Sequence, residues 1–518
     1  MTPVKGGYDA ASTLPGMLRR TATMTSLTDP DAGLVTPDGR ASWGRVLTGA
    51  EALAARLAAL GVERGGRIAL LAGNSLAGVE MLFACGLLGA VCVPVNTRFS
   101  VAEIRHMIAD SAVDTVVVTA EPGFADLVRD AVPAGLRLAT VGADEPGFTR
   151  VDDDPGPPAP AHPAAPDDVA LMVYTSGTTA HPRGCPLTHA TLVGAGRSVG
   201  RDRFRCGPGD VMWGVLPLFH LSFVNPLLAI LDAGGTFVTD SRFDAGRALH
   251  QIRDERVTHA FTCFPTVMDA LLDHPDFDTC FARVRLFLNV GPPQTLRAIQ
   301  ARAPRARQLT SYGSSEMAGI AATTHPDDPD DIRLGTNGFP LPGMEMTAVD
   351  PDTRSPLPAG VTGEIVVRGS GMFAGYWNGA PYDRNSWFGS GDLGFVDADG
   401  RVHYRGRIKD MVKVGGENVA ALEVESVLAE HPAVRTVAVV AVPDPRYTEV
   451  PAAFVELHAG VAVTAEQLQE HCAAVLARFK VPRHVRFVTE WPMSATKIQK
   501  GPLRERITAE LVDGKEHA

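Results

Sequence analysis

The sequence is poor in cysteine, and its cysteines show no pairing pattern. Only 7 of the 518 residues are cysteine. They are scattered without a CxxC pair, which excludes a disulfide scaffold and predicts a reducing cytoplasm as the location. The N-terminus, with Asp9 and no apolar core before the first helical pattern, does not resemble a signal peptide.

Long hydrophobic runs are absent as well. The most apolar stretch runs from Met81 to Val95 and contains Gly86, Gly89 and Pro94. It is shorter than a bilayer span. The stretch therefore predicts a buried helix followed by a strand rather than a membrane segment.

An excess of positive charge is missing too. Lys and Arg number 48 against 59 Asp and Glu, so the formal net charge is 48 − 59 = −11. Without a long basic run, this balance excludes nucleic acid or an anionic membrane as the main partner. Phosphate-bearing small molecules stay open, because a few placed cations suffice for them. A hydrophobic content of 45% and a charged content of 21% exclude a disordered or fibrous chain.

The chain instead shows alternating helix-like and strand-like segments over several times the usual domain length. The alternation covers about residues 40–150 and 169–345, which predicts βαβ units and largely parallel sheets. Ser100 to Glu103 is a capping box that opens a helix, and Val116 to Val118 is a buried strand. Strand-rich sequence follows at 364–368, 394–396 and 402–404.

A smaller unit of α+β character is predicted near the C-terminus. Its helices are expected at 422–430 and 464–479, and its strands at 434–442, 452–457 and 485–489. The change of pattern places a domain boundary at Lys409, so we expect one domain over residues 1–408 and a second over 409–518.

A loop rich in hydroxyls and glycine follows the strand Val169 to Tyr174. It reads Thr-Ser-Gly-Thr-Thr-Ala-His-Pro-Arg-Gly over 175–184. Hydroxyls and exposed backbone N–H groups after a strand suit a polyphosphate. The loop is not a Walker loop, because no Gly-Lys-Ser/Thr follows. An ordinary surface turn is the alternative.

At this loop the chain resembles the adenylate-forming superfamily, which contains acyl-CoA ligases, luciferases and the adenylation domains of peptide synthetases. Further segments similar to that family follow in the family's order over nearly the whole chain: Pro217–His220, Ser311–Glu316, Ser390–Leu393, Tyr404–Asp410, Gly415–Asn418 and Lys497–Lys500. The resemblance implies an α/β fold, with a large N-terminal domain of parallel sheets, flanking helices and a distorted barrel. The small α+β C-terminal domain would be mobile.

The resemblance implies a reaction in two halves and a nucleotide site. A carboxylate attacks the α-phosphate of ATP and releases pyrophosphate, and the thiol of CoA then attacks the acyl adenylate. Glu316 resembles the family's Mg²⁺-holding glutamate, and Asp392 the acceptor of the ribose hydroxyls. Tyr312 would stack on adenine, and Ser315 would meet the α-phosphate. The other implied nucleotide-binding residues are Thr175, Ser176, Gly177, Thr178, Thr179, Gly313 and Arg407.

The catalytic, hinge and acyl positions are implied in the same way. Lys497 resembles the lysine that bridges the substrate carboxylate and the α-phosphate, and His220 the gate of the acyl pocket. Lys409 corresponds to the hinge about which the small domain rotates. The remaining implied residues are Gly415 and Gly416 for CoA, and Phe264, Val290 and Gly291 for the acyl pocket.

Four positions depart from the family pattern. Ala180 and Arg183 stand where Gly and Lys are usual, Pro292 lies in the adenine-side turn, and Thr496 replaces a glycine before Lys497. These positions flank the nucleotide and the lysine. The alternative hypothesis is therefore that adenylation is impaired and that the enzyme mainly converts pre-formed acyl adenylate to thioester.

The sequence disfavours some alternative functions and leaves others open. A peptide-synthetase adenylation domain is disfavoured, because no aspartate follows His220 to hold an ammonium group. Acyl-AMP chemistry without CoA and a catalytically silent binding protein stay open.

Gly196 to Gly200 matches the G-x-S-x-G hydrolase motif, but a helix is predicted before its serine, so we treat the match as chance. The expected acid is apolar, and a homodimer is left open.

Overall fold

The computed structural model describes residues 12–152, 164–175, 182–415, 417–494 and 497–516. Its α-helices are α1 (Leu14–Thr28), α2 (Trp43–Ala59), α3 (Leu76–Leu88), α4 (Val101–Ser111), α5 (Phe124–Ala131), α6 (His189–Arg197), α7 (Leu221–Ala233), α8 (Ala245–Asp254), α9 (Pro265–Leu272), α10 (Phe277–Cys280), α11 (Pro293–Arg302), α12 (Asp330–Gly335), α13 (Ala421–Ala429), α14 (Ala465–Ala473) and α15 (Lys500–Glu516). A π-helix covers Ser198–Arg203, and 3₁₀ turns cover Ser315–Met317, Ile408–Asp410 and Arg478–Lys480.

The strands follow in chain order. They are β1 (Gly33–Thr36), β2 (Gly39–Ser42), β3 (Arg67–Leu71), β4 (Val91–Pro94), β5 (Thr115–Thr119), β6 (Arg137–Val141), β7 (Thr149–Arg150), β8 (Val169–Thr175), β9 (Arg183–Thr188), β10 (Val211–Trp213), β11 (Thr236–Val238), β12 (His259–Cys263), β13 (Leu286–Asn289), β14 (Arg307–Leu309), β15 (Ser311–Tyr312), β16 (Ala322–Thr323), β17 (Phe339–Pro340), β18 (Met344–Val349), β19 (Gly363–Gly369), β20 (Phe388–Val396), β21 (Val402–Arg407), β22 (Met411–Val414), β23 (Glu417–Ala420), β24 (Val434–Asp444), β25 (Thr448–Leu457), β26 (His484–Phe487), β27 (Met493–Ser494) and β28 (Lys497–Ile498).

Two seven-stranded sheets form the large N-terminal part. Their orders are β7-β6-β5-β3-β4-β8-β9 and β14-β13-β12-β10-β11-β1-β2. Pairing is parallel throughout, except at the edge pairs β8–β9 and β1–β2, which are antiparallel. The predicted parallel sheets are therefore confirmed. Helices pack on both sheets, as parallel strands that are buried on both faces require.

Local sequence signals explain several of these elements. Ser100 and Glu103 form the predicted capping box at the start of α4, with the Ser100 N–H donating to Glu103 Oε2 over 2.8 Å. Val116 to Val118 lie buried in the centre of β5. The apolar stretch forms α3 and β4, separated by Gly89 at φ +68°. Within the residues described, no helix combines the length and the apolar character needed to cross a bilayer.

Two small antiparallel sheets follow, where the distorted barrel was expected. Their orders are β15-β16-β17 and β18-β19-β20-β21. The strands predicted at 364–368, 394–396 and 402–404 lie within β19, β20 and β21. The G-x-S-x-G match is helical, because Ser198 follows the end of α6 and begins the π-helix. Its serine therefore lacks the preceding strand that a nucleophile elbow needs.

The C-terminal part is a five-stranded sheet between helices. Strands run in the order β23-β22-β25-β24, and β26 pairs with β25. Apolar residues of α13 and α14 cover one face, and Leu503 and Ile507 of α15 cover the other. The helix predicted at 464–479 is too long, since α14 ends at Ala473. The Val475 N–H bonds to the Cys472 carbonyl, three residues back, which departs from the four-residue spacing of the α-helix.

One buried carboxylate makes the stability of the N-terminal part depend on pH. Glu80 on α3 is 7% exposed and lies against Gly49 of α2, where no side chain fits. Arg45 donates to Glu80 Oε1 over 3.0 Å. Burial nevertheless raises the pKa of Glu80 to about 7 from its ordinary value of 4.5, and Arg45 only partly opposes this. The folded protein therefore retains a proton that the unfolded chain releases between these two pH values.

We expect Glu80→Gln to stabilise the protein above pH 7 and to change little at pH 5. Because the folded-state pKa is raised, the stability contribution of Glu80 is lost as the pH rises from about 4.5 through about 7. The gain in free energy of unfolding at pH 8 should be about 1–3 kcal/mol. Urea denaturation at both pH values measures it, with the exposed Glu51→Gln on α2 as the control. An equal gain at pH 5 would contradict the assignment.

Candidate active site

Three of the predicted nucleotide-binding residues come together at the junction of the small antiparallel sheets. Asp392 and Arg407 face each other across β20 and β21. Arg407 Nε lies 2.8 Å from Asp392 Oδ1, and the Tyr312 hydroxyl donates to Asp392 Oδ2 over 2.7 Å. The Asp392 carboxylate is 3% exposed, whereas the Arg407 side chain is 39% exposed. The cluster thus presents a cation to solvent above a buried anion.

The phenol in this cluster is held in its protonated form. Burial raises the pKa of Tyr312, and the charge of Asp392 raises it further. Tyr404, whose ring centroid lies 6.0 Å from that of Tyr312, has its pKa raised by burial and by the same carboxylate. The Tyr312 hydroxyl therefore serves as a donor to the Asp392 carboxyl group.

Asn337 is a supporting residue that sequence reasoning missed. Its side chain accepts from the Tyr404 N–H over 2.9 Å and donates to the Ser311 carbonyl over 3.3 Å, so it ties β21 to β15. Gly338 after it has φ +73°. The Asn-Gly pair is a turn signal, but it carries no information on which strands the amide would join.

Glu316 lies in the 3₁₀ turn that follows Tyr312. Ser314 Oγ donates to Glu316 Oε2 and the Tyr376 hydroxyl donates to Glu316 Oε1, each over 2.6 Å. Burial raises the pKa of Tyr376, with a further contribution from Glu316, so the phenol is a donor here as well. Tyr376 is a second residue that sequence reasoning missed, since its position in the chain gives no sign of this contact.

The segment around Glu316 also carries Gly313 and Ser315. Ser315 begins the 3₁₀ turn and is half-buried. Gly313 lies so close to the Gly319 carbonyl that a side chain there would collide with it. Glycine is therefore required at 313 by a close backbone approach.

The phosphate loop is described only at its two ends. Thr175 closes β8 and pairs with Arg183 at the start of β9. The Thr175 hydroxyl is buried and has no hydrogen-bond partner among the described residues. A buried hydroxyl without a partner is costly unless a ligand satisfies it, which fits a phosphate. Ser176, Gly177, Thr178, Thr179 and Ala180 lie outside the described residues.

The described residues fit a magnesium ion that arrives with ATP better than a resident metal. They contain no group of three or more His, Cys, Asp or Glu that could hold a metal ion. Mg²⁺ is commonly bound through one or two carboxylates together with substrate phosphates. Glu316, oriented by two donors, can supply such a carboxylate.

The predicted acyl residues lie at the carboxyl ends of neighbouring parallel strands. Phe264 follows β12 and caps α9, and Val290 follows β13 and donates its N–H to the Cys263 carbonyl over 2.8 Å. Gly291 packs on Pro265. A Cβ atom at position 291 would lie only 3.1 Å from Pro265 Cγ. This edge of a parallel sheet is the usual place for a ligand.

His220 occupies the N-cap position of α7, beyond the end of β10. Its ring centroid lies 4.7 Å from that of Phe219, and the histidine is half-buried. Because β10 and β12 are neighbours in the sheet, His220 and Phe264 follow adjacent strands. The residues predicted for the acyl pocket therefore follow neighbouring strands of one sheet.

The hinge and CoA residues lie at the start of the C-terminal part. Lys409 is exposed in the 3₁₀ turn after β21. Gly415 has φ +58° in the turn between β22 and β23, and its N–H donates to the Tyr447 carbonyl over 2.7 Å. Lys497 begins β28, paired with Ser494 of β27. Gly416 and Thr496 lie outside the described residues.

Comparison with known proteins gives two family matches. Residues 19–377 match the AMP-binding enzymes, and residues 423–497 match the C-terminal domain of AMP-binding enzymes. A feruloyl-CoA synthase of Amycolatopsis sp is 36% identical over 463 residues, which cover 88% of this chain and 91% of that protein.

Solved structures agree with these matches. The anthranilate CoA ligase AuaEII, in complex with anthranoyl-AMP, has a TM-score of 0.86 at 27% identity and covers 98% of this chain and 100% of its own. ATP-bound MatB from Rhodopseudomonas palustris has a TM-score of 0.85 at 29% identity, covering 95% of this chain and 99% of its own. Apo MatB has a TM-score of 0.77 at 28% identity, with the same coverage.

These findings confirm the predicted family, the α/β fold class and the acid–thiol ligase class, in which ATP yields AMP and diphosphate. ATP or AMP and CoA as ligands agree with them as well. The chain belongs to the AMP-binding enzymes, as an acyl-CoA ligase of the adenylate-forming superfamily.

Proposed function

We propose that this ligase activates an aromatic carboxylic acid of the hydroxycinnamate class and transfers it to CoA. The observation that carries the proposal is the joining of Tyr312, Asp392 and Arg407 into one nucleotide cluster, in which Tyr312 lies on the same short segment as Glu316. The 36% identical relative named a feruloyl-CoA synthase supports an aromatic acid. The Phe219 ring, which contacts His220, and Phe264, which follows the neighbouring strand, suit the same choice.

In the first half-reaction, a carboxylate oxygen forms a bond to the α-phosphorus of ATP and pyrophosphate leaves. Asp392 would accept from the ribose hydroxyls, and Tyr312 would contact adenine. Glu316 would hold Mg²⁺, which neutralises charge on the departing pyrophosphate. Lys497 would bridge the substrate carboxylate and the α-phosphate, stabilising the charge that develops on both.

In the second half-reaction, the sulfur of CoA forms a bond to the acyl carbon and AMP leaves with the electron pair. The C-terminal part would turn about Lys409 to bring the backbone at Gly415 and Gly416 to the thiol. The chain on either side of this residue is anchored to different parts. Arg407 pairs with Asp392 of the large part.

On the other side of the hinge, the anchor is Lys500 of α15. Its Nζ lies 2.7 Å from Glu425 of α13 and 3.9 Å from Asp410. Lys409 lies exposed between the two anchors. This supports the hinge at Lys409 and the domain boundary between residues 408 and 409.

We infer that both halves run in the same enzyme, against the hypothesis of impaired adenylation. Pro292 precedes α11 with φ −59°, and Pro293 is the first residue of that helix. Neither position needs its N–H for the helix, so the prolines remove no required donor there. Arg183 keeps a cation at the end of the phosphate loop.

Cytoplasmic location stays a prediction, supported by the seven free cysteines, and a homodimer stays open.

The proposal predicts a preference among acids. With ATP, Mg²⁺ and CoA, ferulate and cinnamate should be used with a kcat/KM at least about 10-fold above that for hexadecanoate or sulfoacetate, since mismatched pockets typically cost this much. Pyrophosphate release and thioester formation measured with and without CoA check it. A preference for hexadecanoate, or acyl transfer that does not consume CoA, would overturn the proposal.

A further inference from the structure

Arg183 is held in a way that the family resemblance does not explain. Its guanidinium carbon lies 3.7 Å from the ring centroid of Tyr376. Its Nε is buried without a hydrogen-bond partner among the described residues. A cation resting on a ring face keeps its in-plane N–H donors available for a planar or tetrahedral anion. The Tyr376 ring thus fixes the guanidinium and leaves its Nε–H donor available to a ligand.

Tyr376 contacts Arg183 with its ring and Glu316 with its hydroxyl. The hydroxyl donates to Glu316 Oε1 over 2.6 Å, while the ring face carries Arg183. The Phe373 N–H also donates to the Glu316 carbonyl over 2.9 Å, so the two chain segments are joined by backbone as well. One side chain therefore sets the position of both a cation and a carboxylate.

The chain around Tyr376 is fixed from several sides. The Trp377 N–H donates to the Gly184 carbonyl over 2.8 Å, beside Arg183. Trp377 Nε1 and Asn378 Nδ2 donate to the carbonyl and Oδ1 of Asp110, over 2.9 Å and 3.1 Å. The Phe373 ring meets the Tyr376 ring edge-on at 4.9 Å. These contacts make Tyr376 a rigid support rather than a mobile surface residue.

We propose that Tyr376 is a positioning residue for adenylation, which sets Arg183 for the pyrophosphate and Glu316 for its metal ion. The proposal rests on the proposed function, in which Glu316 meets magnesium-bound ATP. The Tyr376 and Ser314 hydroxyls each occupy one lone pair of the Glu316 carboxylate and leave the others to a ligand. The thioester half has no pyrophosphate to bind, so Tyr376 acts in the first half-reaction only.

The test separates the two groups of Tyr376 and the two half-reactions. Tyr376→Phe keeps the ring under Arg183 and loses the donor to Glu316, whereas Tyr376→Leu loses both. In ATP/pyrophosphate exchange, Tyr376→Phe should lower kcat/KM for MgATP by about 10- to 100-fold, the usual effect of removing a residue that orients a metal ligand. Thioester formation from synthetic acyl adenylate and CoA should stay within about twofold, which also shows that the variant folds. Tyr376→Leu should lose more of the exchange.

A matched control is Tyr382→Phe. Tyr382 packs on the same Phe373 ring, but its hydroxyl donates to the Ser386 carbonyl and does not contact Glu316. Its loss should leave the exchange unchanged. Equal slowing of both half-reactions by Tyr376→Phe would assign Tyr376 a structural role and overturn the proposal.

A binding measurement keeps the test independent of the acid. The Mg²⁺ concentration needed for half of the ATP-induced thermal stabilisation should rise about 10-fold in Tyr376→Phe and stay unchanged in Tyr382→Phe. If no acid is converted to a thioester but this difference is present, the proposed function fails and Tyr376 keeps its role. If thioester is formed but the Mg²⁺ dependence of Tyr376→Phe equals that of the wild type, the role of Tyr376 is overturned.

Discussion

Replacing Lys497 by alanine is expected to lower acid-dependent ATP/pyrophosphate exchange by about 100- to 1,000-fold. A pre-placed ammonium between the carboxylate and the α-phosphate stabilises charge that develops only in the transition state, and loss of one such group typically has this effect. Isotope exchange with saturating ferulate measures the first half-reaction. In the same variant, conversion of synthetic acyl adenylate to thioester should stay within about threefold of the wild type, because that step forms no bond between a carboxylate and the α-phosphate.

The matched control for Lys497 is a lysine of the same C-terminal part with a structural partner. Lys480 Nζ lies 2.6 Å from Glu423 Oε1 on α13. Lys480→Ala removes one positive charge without touching the nucleotide cluster, so both half-reactions should be unchanged. Exchange by Lys497→Ala at the wild-type rate would refute the role assigned to Lys497.

The position of Lys497 in the fold suits a group that is delivered from outside the large part. Lys497 pairs with Ser494 across β27 and β28, a two-stranded sheet separate from the five-stranded one. The lysine therefore belongs to the C-terminal part, whereas the cluster it would serve belongs to the N-terminal part.

Local signals predicted the elements well, because they act within a few residues of the chain. The hydrophobic run at Val116 to Val118 and the capping box at Ser100 and Glu103 are both found where they were expected. The end of α14 at Ala473 was not predicted, because it depends on a turn at Cys472 that no glycine or proline marks. Apolar periodicity alone extends such a helix too far.

The candidate site was predicted as a set of residues but not as a geometry. The family segments named Asp392, Arg407 and Tyr312, yet their contact depends on the register of β20 and β21 and on the placement of β15. Tyr376 and Glu316 are distant in the chain, and a hydrogen bond between them leaves no pattern in the sequence. Tertiary contacts of this kind follow from packing, which composition and periodicity do not encode.

The arrangement of the N-terminal and C-terminal parts should determine which of the two half-reactions can take place. The chain superposes on ATP-bound MatB with a TM-score of 0.85 and on apo MatB with 0.77. In the proposed function, the C-terminal part turns about Lys409 between the two half-reactions. If the described arrangement is that of adenylation, a variant that cannot leave it should keep the first half-reaction and lose the second.

Lys409→Pro is expected to be such a variant. Lys409 is the second residue of the 3₁₀ turn Ile408–Asp410. Residues of a 3₁₀ turn typically have φ of about −50 to −70°, which proline can adopt, and the first N–H groups of such a turn have no partner within it. Pro15 occupies the same second position in α1. Proline thus fits the described conformation and opposes the backbone rotation that brings Gly415 to the thioester step.

We therefore expect Lys409→Pro to keep ATP/pyrophosphate exchange within about fivefold of the wild type and to lose thioester formation by about 100-fold or more, as misplacement of a reacting group by even a small distance can cause. Lys409→Ala, which removes the charge but keeps the rotation, should preserve both halves. Single-turnover transfer of the acyl group from synthetic acyl adenylate to CoA measures the loss directly. Normal transfer in the proline variant would refute the hinge at Lys409, whereas loss in both variants would mean that the lysine side chain itself takes part in the second half-reaction.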